Sequence, residues 1–192
     1  EEKEKYFSFI NRRKKNEPIA YITNNKYFWR DKFITNKNAL IPRPDSEHLV
    51  EQTLRIIKKN QSKRILDVGV GSGCLSISIL KERLNCKCDA IDLSKNALKL
   101  AKINANLHQL SSRIKFYKRD VDNFYNDKYD LVISNPPYIN KHKIKYLGSI
   151  FYEPKIALDG GLDGLEVIKK VISKSKYLLK ENGKLILEIG YD

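Results

Sequence analysis

Arg64-Ile65-Leu66-Asp67-Val68-Gly69-Val70-Gly71-Ser72-Gly73 runs a short apolar stretch directly into three closely spaced glycines. Arg64 to Val68 reads as a short buried strand. The glycines after it make a turn, and the apolar run from about Leu75 to Arg83 reads as a helix. Outward from there the alternation repeats. Cys88 to Asp92 is a second strand, and Ser94 caps a helix running through Ala97, Leu98, Ala101 and Ala105. Ile114 to Tyr117 and Tyr129 to Ser134 are a third and a fourth strand. After a long loop comes a helix from about Gly164 to Leu179, and Asn182-Gly183 turns the chain into a fifth strand over Lys184 to Ile189. Strands alternating with helices through short connections predict an α/β fold, a doubly wound, mostly parallel sheet.

Upstream the pattern differs. Residues 1–15 are charged, with Tyr6, Phe7, Phe9 and Ile10 interspersed, and suit the tail of a helix that Glu17-Pro18 ends. From Ile19 to Ile41 aromatic and β-branched residues alternate loosely, which predicts a β-hairpin with Arg30-Asp31 at its tip. Pro42-Arg43-Pro44 is rigid punctuation. Asp45 or Ser46 then caps a helix with the apolar stripe Leu49, Val50, Thr53, Leu54 and Ile57.

Length and composition bound the class. The 192 residues allow one substantial domain with its own core, and 41% are hydrophobic. No run approaches the roughly 20 apolar residues of a membrane span, and no secretory signal follows the charged N-terminus. The three cysteines have neither a pairing partner at good geometry nor a zinc spacing, so no metal is expected. Free thiols point to a cytoplasmic protein. The net charge of +14 comes largely from 28 Lys against 9 Arg. With 22 Ile and 16 Asn, that profile is what AT-rich codons produce. Any remainder favours an acidic partner surface or nucleic acid. The chain has no Met and stops at Gly190-Tyr191-Asp192 directly after a strand-like run, which reads as a fragment.

Two features at the carboxyl ends of the first two strands belong together. The turn is G-x-G-x-G, with Asp67 two residues before the first glycine. It departs from the dinucleotide fingerprint and lacks the Lys of a phosphate loop. Asp92, ending strand two, can accept two hydrogen bonds from a ribose diol. A cationic ligand without pyrophosphate suits a site carrying acids and no basic clamp. The pair resembles the cofactor site of class I S-adenosylmethionine-dependent methyltransferases, which have a Rossmann-like sheet. The resemblance implies a cofactor site of Asp67, Gly69, Val70, Gly71, Ser72, Gly73, Asp92, Asp120, Val121 and Asn135. In it the glycine loop lies under the methionine part and Asp120-Val121 meets adenine. Val121 stands where many relatives carry an aromatic.

Ser134-Asn135-Pro136-Pro137-Tyr138 follows strand four, at the sheet edge where such folds bind ligands. Two prolines stiffen the loop and remove two donors, so the Asn135 oxygen and the Pro136 carbonyl can both act as acceptors. A planar NH2 group has two hydrogens for two acceptors, and Tyr138 offers a flat face. Such a loop can aim a poorly nucleophilic nitrogen at a methyl donor and stabilise charge developing on it. Asn135, Pro136, Pro137 and Tyr138 are the candidate catalytic residues of an amino-group methyltransferase.

The rest of the chain resembles the protein-(glutamine-N5) methyltransferases, over about residues 16–192. The stretches are Glu17 to Ile22, Tyr27-Phe28-Trp29, Leu40 to Glu47, Tyr152-Glu153-Pro154 through Leu165, and Leu187 to Gly190. The branch it most resembles methylates the Gly-Gly-Gln glutamine of peptide chain release factors. That resemblance implies S-adenosyl-L-methionine as cofactor, S-adenosyl-L-homocysteine as product and a release factor as protein partner. It implies a monomer with no membrane and no required nucleic acid. Two alternatives share the motif: methylation of a ribosomal-protein glutamine, and N6-adenine or N2-guanine methylation of nucleic acid. No target-recognition domain for base flipping is visible. The implied organisation is a remnant of an N-terminal helical domain over 1–15, a β-hairpin linker over 16–44, and a methyltransferase domain over 45–192 lacking its last strands. Arg43 and Asp45 fall on the loop facing the site. Trp29 reads as hairpin packing, and His48, His108 and His142 as surface residues. Lys141-His142-Lys143 and Lys145 read as a solvated loop.

Overall fold

The computed structural model describes residues 1–146 and 151–190. Its helices are α1 (Glu2–Lys14), α2 (Ile19–Ile22), α3 (Glu47–Ile56), α4 (Cys74–Glu82), α5 (Lys95–Leu107) and α6 (Glu166–Leu178). Its strands are β1 (Asn25–Phe28), β2 (Asp31–Ile34), β3 (Arg64–Val68), β4 (Lys87–Asp92), β5 (Ile114–Lys118), β6 (Tyr129–Ser134) and β7 (Leu179–Leu187). The expected doubly wound, Rossmann-like sheet is present. Five strands lie in the order β5-β4-β3-β6-β7, and every pairing is parallel. The chain leaves β3 toward β4 and β5, then returns to lay β6 on the other side of β3. That reversal opens a crevice at the carboxyl ends of β3 and β6.

Both faces of the sheet are covered, so its central strands send apolar side chains to both faces. Ile65, Leu131 and Ile133 face a core shared with Leu49 and Val50 of α3, Ile77 and Leu80 of α4, and Ala101 of α5. Leu66, Val68 and Val132 face the other way, onto Val171 and Leu178 of α6. Burying one such side chain contributes roughly 1.5–3 kcal/mol, so the alternation fixes which residue of each strand reaches which layer. Among the described residues no helix is long and apolar enough to cross a membrane.

Several boundaries differ from expectation for identifiable reasons. The hairpin forms, but its two-residue tip is Trp29-Arg30, not Arg30-Asp31, and Asp31 pairs with Phe28. Trp29 takes a left-handed φ of 56° there, held by its amide donating to Glu47 Oε1 and its indole to Glu82 Oε1. Ile19 to Ile22 form a helical turn instead of extended chain. The hairpin is also less of a linker than its sequence suggests: Phe28 and Phe33 are buried within the main core. Neither Asp45 nor Ser46 caps α3 with its side chain, and Ile57 is already extended. Ser94 does cap α5, accepting from the Ala97 amide at 3.1 Å. Asn182-Gly183 lies inside β7, since Tyr129 pairs with Leu179 and Leu131 with Lys184. Residues 180–183 therefore bulge opposite Asp130, with Asn182 at a positive φ of 59°.

Candidate active site

The crevice is a cavity of about 680 Å³, within the size range of small-molecule sites. One side is built by the glycine turn. Gly69 and Val70 donate their amides to the Ile91 carbonyl, which ties the turn to the end of β4. Gly69 lines the cavity at φ 77°, a backbone conformation that favours glycine, and a Cβ there would point into open space. Gly73 has another task. Its missing Cβ lets α4 and α5 approach, with Ile77 Cδ1 3.0 Å and Ala101 Cβ 3.4 Å from where it would sit.

Asp92 stands at the lip of this turn. Its Oδ2 accepts from the Gly71 amide at 3.0 Å and its Oδ1 from the Ser94 amide at 2.8 Å. Burial raises its pKa, and these amide bonds oppose the rise. Each carboxylate oxygen keeps a lone pair, so a diol can still be held. Asp120 is committed elsewhere: its carboxylate accepts from the Asp122 amide and pairs with Lys170 at 3.2 Å. Val121 is buried against Val68, Ile91 and Phe124 and supplies an apolar wall.

Asn104 braces the turn from behind. It is fully buried, donates to the Ser72 carbonyl (2.8 Å) and the Ile34 carbonyl (3.0 Å), and accepts from the Ile34 amide (2.8 Å). One side chain thus joins the hairpin to the glycine loop. Asn104 carried no sequence signal, being one polar position on a helix of mixed pattern.

The other side of the cavity is the loop after β6. Ser134 donates to the Val68 carbonyl at 2.6 Å, holding the ends of β6 and β3 together. Asn135 Nδ2 donates to Ser46 Oγ at 2.9 Å, and Ser46 Oγ donates to Glu188 Oε2 at 2.5 Å. Glu188 Oε1 accepts from the Tyr138 hydroxyl at 3.1 Å, and burial together with Glu188 raises the Tyr138 pKa. Among the described residues no donor is bound to Asn135 Oδ1, which leaves it as the free acceptor.

The loop is pinned from below by residues 158–164. Ile139 donates to the Leu158 carbonyl, Gly160 to the Ile139 carbonyl and Lys141 to the Gly161 carbonyl. A Cβ on Gly160 would lie 2.8 Å from Tyr138 Cα, and one on Gly164 2.6 Å from the Tyr138 carbonyl oxygen. These glycines are therefore required for backbone to pack on backbone. Beside them, Glu153 is buried, accepts from the Ile41 amide at 2.9 Å and pairs with Arg43 at 2.5 Å.

Of the sequence candidates, Gly69, Val70, Gly71, Ser72, Asp92, Asp120, Val121, Asn135, Pro136 and Pro137 line the cavity. Asp67, Gly73 and Tyr138 do not line it, so the flat face expected of Tyr138 is not part of the cavity wall. Asp67 is fully buried, and among the described residues neither oxygen has a hydrogen-bond partner. Burial pushes its carboxyl up to about 7, against a smaller lowering by Ser76. The expectation of acids without basic groups is corrected. Arg43, Arg119, Lys141, Lys155 and Lys170 also line the cavity, with Arg43 paired to Glu153 and Lys170 to Asp120 and Asp122. The three cysteines are free, and burial pushes the Cys74 thiol in the wall up to about 12, unsuited to nucleophilic work. His48 and His142 are exposed, as expected, whereas His108 is half-buried, its ring 4.9 Å from that of Phe33 and its Nε2 3.2 Å from the Lys32 carbonyl.

A family model described as the methyltransferase small domain matches residues 46–161. The chain belongs to that methyltransferase family. Its relatives include a release factor glutamine methyltransferase of Clostridium acetobutylicum, 41% identical over 97% of this chain and 67% of that protein. A bifunctional methyltransferase of Rickettsia bellii is 39% identical over 95% of this chain. The chain spans only 38% of that relative and about two thirds of the release factor enzymes it matches. Among solved structures, the ribosomal protein L11 methylase of Lactobacillus delbrueckii superposes with a TM-score of 0.58. The two are 20% identical, over 86% of this chain and 72% of that one, a likeness of fold.

Proposed function

We propose that this protein transfers a methyl group from S-adenosylmethionine to the side-chain amide nitrogen of the Gly-Gly-Gln glutamine in peptide chain release factors. The observation that carries the reading is the fixed Asn135 amide. Its nitrogen is bound to Ser46, so its oxygen is the acceptor left for an incoming NH2 group. The relatives named for glutamine methylation of release factors support the choice of substrate.

The residues present fit the cofactor. Gly69 leaves the cavity wall bare of side chain where its φ is 77°, and Asp92 retains acceptor capacity for a ribose diol. Val121 gives an apolar surface for a base. When bound there, S-adenosylmethionine supplies an electrophilic methyl. The chain's own residues do the positioning. Asn135 Oδ1 and the Pro136 carbonyl receive the two hydrogens of the glutamine amide, holding its nitrogen in line with the methyl. Both acceptors meet the positive charge that grows on nitrogen as it is alkylated. No strong base is needed beforehand, because the alkylated nitrogen is acidic. We read the protein as a cytoplasmic monomer acting on a protein partner, with S-adenosylhomocysteine as product and no nucleic acid required.

Asn135→Ala tests the role directly. Methyl transfer to a purified release factor is expected to vanish while calorimetry shows cofactor affinity largely retained. Transfer at the wild-type rate by the variant would remove Asn135 from the chemistry.

A further inference from the structure

The geometry points to Ser46 and Glu188 as positioning residues that set which end of the Asn135 amide meets the substrate. The inference rests on the amide-methylation reading above and adds two groups that act through Asn135: Ser46, in the cavity lining, and Glu188, outside it. An asparagine amide has nearly the same shape with its oxygen and nitrogen exchanged, yet only one orientation offers an acceptor to an incoming NH2 group. The flipped form would set donor against donor. Something must choose.

The choice is made by a hydrogen-bonded chain with a single direction. β7 pairs with β6 so that Leu187 lies beside Ser134, and the Glu188 amide donates to the Ser134 carbonyl at 3.1 Å. That register puts the Glu188 carboxylate next to the loop that begins at Asn135. Ser46, 3% exposed at the entry to α3, lies between them. A carboxylate only accepts, and Glu188 takes the Tyr138 proton on Oε1 and the Ser46 proton on Oε2. Ser46 has one proton and has given it away, so toward Asn135 it can only accept. Asn135 must therefore turn its NH2 to Ser46 and its oxygen away. The same carboxylate holds the Tyr138 hydroxyl, fixing both ends of the loop with one group.

Three variants and two readouts test this in the full chain. Ser46→Ala removes the acceptor. Its kcat for release-factor methylation is expected to fall about tenfold or more, with KM and cofactor affinity within about twofold, since an aligned acceptor counts chiefly in the transition state. Ser46→Thr keeps the hydroxyl and is expected to recover most of that loss. Glu188→Gln keeps the shape but lets the end of the chain donate, so the direction is no longer enforced and kcat falls, with KM and thermal stability unchanged. Wild-type kcat in Ser46→Ala or in Glu188→Gln overturns the inference. So does a Glu188→Gln loss that appears entirely in KM. The second readout needs no substrate: the side-chain amide NMR signals of Asn135 are expected to be sharp in the wild type and averaged in Ser46→Ala. Unchanged signals in Ser46→Ala refute the positioning role, even if the release factor proves not to be the substrate.

Discussion

The two sides of the cavity are assembled across different distances along the chain. On the cofactor side, the bond from Gly71 to Asp92 spans 21 residues. On the amide side, Asn135 reaches Ser46 across 89 residues, Ser46 reaches Glu188 across 142, and Arg43 reaches Glu153 across 110. The glycine turn and its lip belong to one βαβ unit, with Asn104 bracing the turn from outside it. The amide side exists only once β7 has docked beside β6 and the start of α3 has closed over both. The two sides should therefore fail independently: damage to the amide side should spare cofactor binding, and damage to the cofactor side should appear first in affinity.

The largest separation is expected from Gly164→Ala. Its Cβ would sit 2.6 Å from the Tyr138 carbonyl oxygen at a φ of 76°, so the loop carrying Asn135 must move. Misplacement of that order costs about a hundredfold in rate. Methyl transfer should fall by that much while calorimetric cofactor affinity holds; equal loss of both would erase the distinction between the sides.

Asp92→Asn probes the other side and should be milder. It weakens charge-assisted bonds worth roughly 1.5–3 kcal/mol each, so cofactor affinity should drop about tenfold or more, with kcat at saturating cofactor little changed. The wild type carries a related pH signature. Burial raises the Asp92 pKa, so the carboxylate that binds best is lost as pH falls through a pKa above the group's ordinary one. Affinity should rise with pH across that window, and the dependence should vanish in Asp92→Asn.

The glycine-turn wall of the cavity was legible in the sequence, because its signals are local. Glycines at fixed spacing after an apolar run, and an acid closing the next strand, describe the turn and its lip in one short window. The Asn135 loop was legible for the same reason, since two consecutive prolines after a strand have few other uses. What holds that loop was not. Ser46 reads as a helix cap by every local rule, yet the structure spends its hydroxyl on Glu188 and Asn135. Gly160 and Gly164 sit in a stretch that reads as a plain turn, and only the approach of the Tyr138 backbone explains them. The shift in the hairpin tip has the same origin. Trp29 tolerates a left-handed backbone because Glu47 and Glu82, from two separate helices, take up its donors. Long-range partners override local preference where elements meet.

The smallest effect on activity, and a contrasting one on stability, is expected from Asp67→Asn. Asp67 lies behind the cofactor loop with its carboxyl pushed from 3.8 to about 7. A raised carboxyl binds its proton more tightly in the folded state, so its stabilising contribution is full below the ordinary value and is lost as pH rises through about 7. Chemical denaturation across that window should show wild-type stability declining with pH and Asp67→Asn declining less. An identical slope in the two proteins would place the Asp67 proton elsewhere.

Mass spectrometry of a purified, unmethylated release factor incubated with this protein and S-adenosylmethionine reads the transfer itself. One added methyl group is expected on the glutamine of the Gly-Gly-Gln tripeptide, absent when Asn135→Ala replaces the wild type. An unmodified glutamine, with cofactor binding verified in the same sample, would contradict the proposed transfer.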